Sequence, residues 1–258
     1  MKASNRRLFL LLALLPAAFP ACTSLDVTAQ AGYAQMSLSG EVGYSRGASG
    51  TEAPKQDIDS AFGIGNSEGS PYGGAAVDFG VPILTISAFA LKTTGAGTLS
   101  DGFGGIPAAT PVSSALDLLD IKTTYVFEVP IGPFSIASGV GLDYLDVKLR
   151  VSNLDPVVPE VQTADLSLPV PLGCVRGELD LEWLNVLAEV GYMSAALEGV
   201  EAQIVDVEAM VMFRPARWAH LFLGYRWLAL DVKGSLDTDY VAADIALRGF
   251  MLGGGFEF

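Results

Sequence analysis

Apolar and polar residues alternate with a period of two along most of this 258-residue chain. Successive side chains of a strand point to opposite faces, so this alternation predicts strands with one apolar and one polar face. Helical periodicity is nearly absent, and the chain is therefore predicted to be all-β. The clearest alternating segments are residues 34–44, 119–129, 134–144, 175–183, 205–213 and 221–227.

Tight and long connections alternate between these segments. The tight ones lie at residues 80–82, 130–133, 184–185 and 214–217, and the long polar ones at about 45–70, 95–112, 152–165, 195–201 and 233–240. This spacing predicts about ten strands, or eight if the weakest pair, about 72–79 and 83–94, is dropped. An even number of strands with both chain ends on the tight-turn side is typical of a closed antiparallel transmembrane β-barrel.

The polar face carries charged residues that a dry interior accepts only when they are paired. We predict that these residues face a wet lumen, while the apolar face, including Ala34, Met36 and Leu38, contacts lipid. Salt bridges among them are expected to plug the tube, and the alternative is a narrow passage that favours cations. The predicted lumen charge network consists of Asp120, Lys122, Glu128, Asp143, Arg176, Glu178, Asp180, Glu189, Asp206, Glu208 and Arg226.

Aromatic residues lie at both ends of the strands, as in the interfacial girdles of membrane barrels. Beyond the aromatic residue at position 144, Asp146, Lys148 and Arg150 continue the apolar row, so this strand is expected to project past the bilayer. There Lys148 and Arg150 either contact lipopolysaccharide phosphates or are solvated. The predicted girdles are Phe79, Phe127, Phe134, Trp183, Phe213, Trp218, Phe256 and Phe258 near the tight turns, and Tyr44, Tyr144, Tyr192 and Trp227 near the long loops.

Composition excludes several other classes of protein. Half of the residues are hydrophobic and the mean hydropathy is +0.41, yet after the N-terminus no apolar run reaches the length of about 18 residues that a spanning helix needs. The richness in aliphatic and aromatic residues excludes intrinsic disorder. A net charge of −14 argues against a nucleic-acid partner. A soluble sandwich or lipocalin-like barrel, with its apolar face inside, remains the structural alternative.

Residues 1–21 have the basic start, apolar stretch and small residues of a secretory signal peptide. The sequence Phe19-Pro20-Ala21-Cys22 resembles a bacterial lipoprotein box, which makes Cys22 a possible lipidation site, and cleavage after Ala31 is the alternative. We expect residues 22–31 to form a short N-terminal segment and residues 32–258 to form the barrel. The only other cysteine is Cys174, so the chain has no disulfide framework.

The closing segment, residues 249–258, alternates apolar residues and ends on Phe256-Glu257-Phe258. With the export leader and the alternating strands, it resembles a bacterial outer-membrane β-barrel protein, one of the small proteobacterial barrels of unassigned function. The resemblance implies that Phe256 and Phe258 belong to the C-terminal signal read by the barrel-assembly machinery. It also implies the outer membrane of a Gram-negative bacterium as the location, with membrane lipid and lipopolysaccharide as partners and the protein partner unknown.

The sequence offers little for catalysis. Its single histidine, His220, follows the tight turn at 214–217, away from the end where an omptin-type protease or a lipid A deacylase needs its residues. Asp237 and Asp239 are a weak cation motif, and Cys174 has no neighbouring ligands. We therefore expect no enzyme activity, metal or cofactor, and a structural, surface-interaction or narrow-pore role. The alternatives are a passive small-solute channel, a lipid-modifying barrel enzyme and a periplasmic lipocalin-like lipoprotein.

Overall fold

The computed structural model describes residues 25–47, 53–155, 158–197, 200–236 and 239–258, and it confirms the all-β prediction. Among these residues, no helix is long and apolar enough to cross a membrane. The elements are β1 (Asp26–Ser45), β2 (Gln56–Asp57), α1 (Ile58–Phe62), β3 (Ser67–Asp78), β4 (Pro82–Thr98), β5 (Pro111–Ile131), β6 (Phe134–Asn153), β7 (Val161–Asp180), β8 (Leu184–Leu197), β9 (Val200–Ala216), β10 (Ala219–Leu236) and β11 (Asp239–Glu257).

The antiparallel sheet closes into a ring, because β1 pairs with β3 on one side and with β11 on the other. It has eleven strands and not ten. The additional strand is β2, which has two residues and pairs only with Glu41 and Val42 of β1. The eight-strand alternative is wrong, since β3 and β4 both form. The sheet also begins earlier than expected, because residues 26–31 already belong to β1.

In the half of the ring near the tight turns, the apolar residues point outward and the charged residues inward, as predicted. Leu142 and Leu223 are 49% and 54% exposed on the outer face, whereas Asp120 is fully buried inside. We call this outer surface the apolar belt. It includes Leu84, Ile86, Phe127, Val129, Phe134, Ile136, Val140, Leu142, Val175, Val190, Val211, Phe213, Leu221, Leu223, Phe250 and Leu252.

In the half near the long loops, which we call the upper half, the arrangement is reversed: charged residues lie on the outer face and apolar residues on the inner face. On β6, Lys148 and Arg150 are exposed outside, and Leu145 and Leu149 are buried inside. The prediction that Ala34, Met36 and Leu38 face lipid is therefore wrong: a strand surrounded by water turns its apolar side chains inward. We call this interior the upper core; it includes Met36, Leu38, Leu91, Leu116, Leu118, Leu145, Leu149, Val151, Leu172, Ile204, Leu228, Leu230, Val232 and Leu247.

β2 and α1 pack against the connection between β4 and β5 in the upper half of the ring. The side chain of Asp57 caps α1 by accepting a hydrogen bond of 2.8 Å from the Ser60 amide. Behind this cap, Phe62 packs edge-on against Phe103 of the β4–β5 connection, with ring centroids 5.2 Å apart. A Cβ atom at Gly97 would lie 2.3 Å from the Ala61 carbonyl oxygen, so this close approach of α1 to β4 requires glycine.

Tyr44, predicted to join the upper aromatic girdle, is instead buried inside the upper half. Its hydroxyl donates a hydrogen bond of 2.6 Å to Oδ2 of Asp239, across the seam between β1 and β11. Burial raises the pKa of Tyr44 above its ordinary value of 10.0, and the hydrogen bond to Asp239 and its charge raise it further. The girdle prediction fails here for the same reason as for the other apolar residues of β1.

We expect Tyr44→Phe to lower the free energy of unfolding by about 1.5 kcal/mol, the order expected for a hydrogen bond to a charged group. Because the folded state raises the pKa of Tyr44, this contribution is complete below pH 10 and disappears as the pH rises through the raised pKa. Denaturant unfolding at pH 8 and pH 11 measures both effects. Tyr192→Phe, which alters a ring exposed on the outer face, is the control. An equal loss in both variants would contradict the assignment.

Candidate functional site

Eight charged side chains from six adjacent strands meet at mid-height in the lumen. The strand register brings them together: Arg176 lies opposite Glu189, Glu189 opposite Glu208, and Glu208 opposite Arg226. All eight residues are less than 9% exposed. We call this group the ionic cluster; its members are Asp120, Lys122, Asp143, Arg176, Glu189, Asp206, Glu208 and Arg226.

Arg226 is the centre of the cluster and is 1% exposed. Its Nη1 donates to Oδ1 of Asp120 at 2.8 Å, and its Nε donates to Oδ1 of Asp206 at 3.0 Å. Its Nη2 also lies 3.4 Å from Oδ2 of Asp143. The guanidinium carbon is 5.3 Å from the centroid of the Phe89 ring. One planar cation thus binds three carboxylates from three strands, a task suited to the fork of donors on arginine.

Lys122 and Arg176 extend the network toward β4. The Nζ atom of Lys122 is 2.7 Å from Oε1 of Glu189 and 2.7 Å from Oδ2 of Asp206. Arg176 donates to Oε2 of the same Glu189 from Nε at 2.8 Å, and from Nη2 to Oγ1 of Thr124 at 3.2 Å. These residues therefore form a salt-bridged network in the structure. The five carboxylates of the cluster exceed its three cations by two negative charges.

Three residues predicted for the network lie outside it, near the tight turns. Glu178 accepts a hydrogen bond from Asn185, and exposed Asp180 accepts one from Arg214. Glu128 is half-buried three inward positions below Lys122 on the same strand. These three side chains point inward like those of the cluster, but they lie closer to the tight turns. The prediction missed the hydroxyls of Thr85 and Thr124 and the ring of Phe89, because neutral or aromatic residues at inward positions carry no signal for a charge network.

Above the cluster, the upper core fills the lumen. One gap within it has a volume of about 10 Å³ and apolar walls, among them Leu38, Leu118 and Leu228. Such a gap is too small and too apolar to hold a file of water molecules. In the described part of the chain, two layers of buried side chains, the ionic cluster and the upper core, therefore occupy the lumen along its length.

Below the cluster, the lumen widens into a cavity of about 740 Å³, which we call the vestibule. Its walls include Lys122 and Glu208 at the inner end and the turn residues Gly132 and Arg217 at the other, so it runs from the cluster to the tight-turn side. Nine carboxylates and four cationic side chains line it. The vestibule is thus acidic, and it is blind because the cluster closes its inner end.

His220 lies at the tight-turn end, as predicted. Its Nδ1 is 3.3 Å from Oε1 of Glu257, and its ring lies beside Phe222. Cys174 is buried and free. Among the described residues, no three histidine, cysteine or acidic side chains converge to hold a metal ion. The signal peptide, Cys22 and Asp237 lie outside the described residues.

Comparison with solved structures identifies the architecture. The structure of the outer membrane protease OmpT from Escherichia coli matches with a TM-score of 0.53 and 9% sequence identity, covering 92% of this chain and 99% of that one. This chain has the fold of a bacterial outer-membrane β-barrel. At 9% identity the likeness establishes the fold alone. No family model matches the chain, and no curated protein does.

Two weaker similarities are to other solved structures. Ail, the attachment invasion locus protein of Yersinia pestis, in complex with the heparin analogue sucrose octasulfate, matches with a TM-score of 0.37 and 11% identity, over 91% of this chain and 99% of that one. A Pseudomonas aeruginosa FadL homologue matches with a TM-score of 0.38 and 8% identity, over 91% and 90%.

Proposed function

We propose that this barrel spans the outer membrane of a Gram-negative bacterium, with its tight turns in the periplasm. On β6 the outward apolar row runs from Phe134 to Tyr144, about 34 Å along the strand. At a strand tilt of about 40° this row is about 26 Å high, close to the apolar band of outer-membrane barrels. The exposed charges of Lys148 and Arg150 begin directly above it, where water replaces hydrocarbon.

The two layers of buried side chains in the lumen support a structural or surface-interaction role for the barrel. A conducting pore needs a continuous wet path, and here the ionic cluster is followed by an interior of buried apolar side chains. The upper half adds a rigid, polar-surfaced platform above the apolar belt. Such a platform is suited to present the long loops to other molecules. We therefore favour a sealed barrel over the passive-channel alternative.

In planar lipid bilayers, we expect the purified full-length protein to insert without producing conductance steps. A known general porin, reconstituted in the same bilayers, shows that the assay detects channels. Recovery of the protein from the bilayer-forming vesicles in its folded, heat-modifiable form confirms insertion. Stable, reproducible conductance steps would contradict the sealed lumen and favour a narrow pore.

We further propose that the barrel is not an enzyme and that its contacts with lipopolysaccharide phosphates lie above the apolar belt. The only histidine of the sequence is at the tight-turn end, beside Glu257, away from the long loops. Lys148 is 3.7 Å from Asp165 and 4.0 Å from Asp146, which supports a solvated ion pair, whereas Arg150 is exposed and better suited to lipopolysaccharide phosphates. Recognition of Phe256 and Phe258 by the barrel-assembly machinery and lipidation of Cys22 are also proposals.

A further inference from the structure

The vestibule is a blind cavity with the size of a ligand site. Its volume of about 740 Å³ falls within the usual range of about 300–1,000 Å³ for sites of small molecules. Along β9, the distance from Glu208 at its inner end to Arg214 near its mouth is six residues, or about 20 Å of extended strand. A molecule that enters from the tight-turn side must leave by the same route.

Of the three carboxylates around Lys122, that of Glu208 lies farthest from this cation. Lys122 is 2.7 Å from both Glu189 and Asp206 but 3.8 Å from Glu208. Glu208 is 8% exposed, faces the vestibule and accepts no hydrogen bond from any described residue. Burying a carboxylate without a donor is costly. At the inner end of the vestibule, the Glu208 carboxylate therefore lacks a hydrogen-bond donor of its own, since Lys122 lies 3.8 Å away.

The residues that line the walls and the mouth of the vestibule indicate what kind of ligand could donate a hydrogen bond to Glu208. Tyr72, Leu187 and Met210 form apolar walls of the vestibule, while Glu128 and Glu182 add negative charge on the tight-turn side. Among the described residues no three ligands converge to hold a metal ion, which argues against a hard divalent cation. The vestibule is therefore negatively charged at its inner end, apolar along its walls and negatively charged again at its mouth. A ligand with ammonium groups separated by methylene chains is complementary to this arrangement.

We propose that the vestibule binds a linear aliphatic polyamine, with one ammonium group against Glu208 and another at the acidic mouth. The carboxylates at the mouth raise the local concentration of a polycation and guide it inward. The apolar walls contact the methylene chain. This inference concerns only the tight-turn side of the barrel and holds whether or not the lumen conducts.

Isothermal titration of the purified full-length barrel in a nonionic detergent, with spermidine as the probe, tests the proposal. We expect saturable binding that weakens at least tenfold in Glu208→Gln. The control is Glu201→Gln, which removes an equal charge from the outer surface, where Glu201 pairs with Lys233 at 2.9 Å. This control should bind like the wild type. A second variant, Ala76→Trp, fills the vestibule without changing charge and should also weaken binding at least tenfold.

Three results would overturn the proposal. The first is no saturable binding to the folded wild-type barrel. The second is equal affinity of the wild type, Glu208→Gln and Ala76→Trp, which would place spermidine outside the vestibule or show that Glu208 holds a proton instead of an ammonium. The third is Mg²⁺ binding that depends on Glu208 in the same way, which would assign the site to a metal ion. Conductance measurements bear on the sealed lumen and leave each of these results unchanged.

Discussion

Replacing Arg226 with methionine is expected to destabilise the barrel by about 3–5 kcal/mol. Removing one partner of a buried ion pair leaves the other charges buried without compensation. Here the carboxylates of Asp120, Asp206 and Asp143 would lose the cation that all three contact, and they would repel one another. The methionine side chain preserves much of the volume and the contact with Phe89. The decrease in the free energy of unfolding is therefore due mainly to the loss of the positive charge.

The measurement is denaturant unfolding in lipid vesicles, with Arg248→Met as the control, because Arg248 is exposed on the outer face of neighbouring β11. The control should change the free energy of unfolding by less than about 0.5 kcal/mol. Adding Asp120→Asn to Arg226→Met should recover part of the stability, since it removes a carboxylate whose ion pair is with Arg226. Similar stabilities of Arg226→Met and Arg248→Met would show that the cluster does not hold the strands together.

The half of the barrel near the tight turns could be predicted from the sequence because charged residues occupy only one face of each strand there. Charged side chains such as those of Asp120 and Arg226 can be buried only inside the barrel, where they pair with opposite charges. Their positions therefore identify which alternate residues of each strand point inward. The apolar belt and the salt bridges of the cluster follow from that parity. The height of each charge does not follow, since it depends on register, and Glu128, Glu178 and Asp180 therefore lie below the cluster.

The upper core was missed although the sequence contains its signal. Leu116 and Leu118 have the same parity as Asp120, and Leu228 and Leu230 have the same parity as Arg226. Extending each inward row past its last charge would have shown that the interior becomes apolar. The reversal is predicted only for the outer row of β6, where charges follow Tyr144. Alternation by itself is the same in a membrane barrel and in a soluble one, and this chain uses both arrangements at different heights.

The second large effect concerns the apolar belt. We expect Leu223→Arg to destabilise the barrel in lipid bilayers by about 2–4 kcal/mol, the cost of arginine on the lipid face near the middle of a membrane. Leu223 is 54% exposed on β10, between Trp218 and Trp227 of the two aromatic girdles. If water surrounded this position, the same substitution would change stability by only about 0.5 kcal/mol, as surface substitutions usually do.

Ser235→Arg on the same strand is the matched control, because Ser235 is exposed in the upper half, above the belt. Its effect should stay within about 0.5 kcal/mol in the same vesicles. The difference between the two variants therefore measures where the hydrocarbon ends along β10. Equal, small effects would show that Leu223 faces water, and the barrel would then be a soluble one whose outer face is unusually apolar. A large effect confined to Leu223 would assign the belt to the bilayer and the upper half, with its apolar interior, to the water above it.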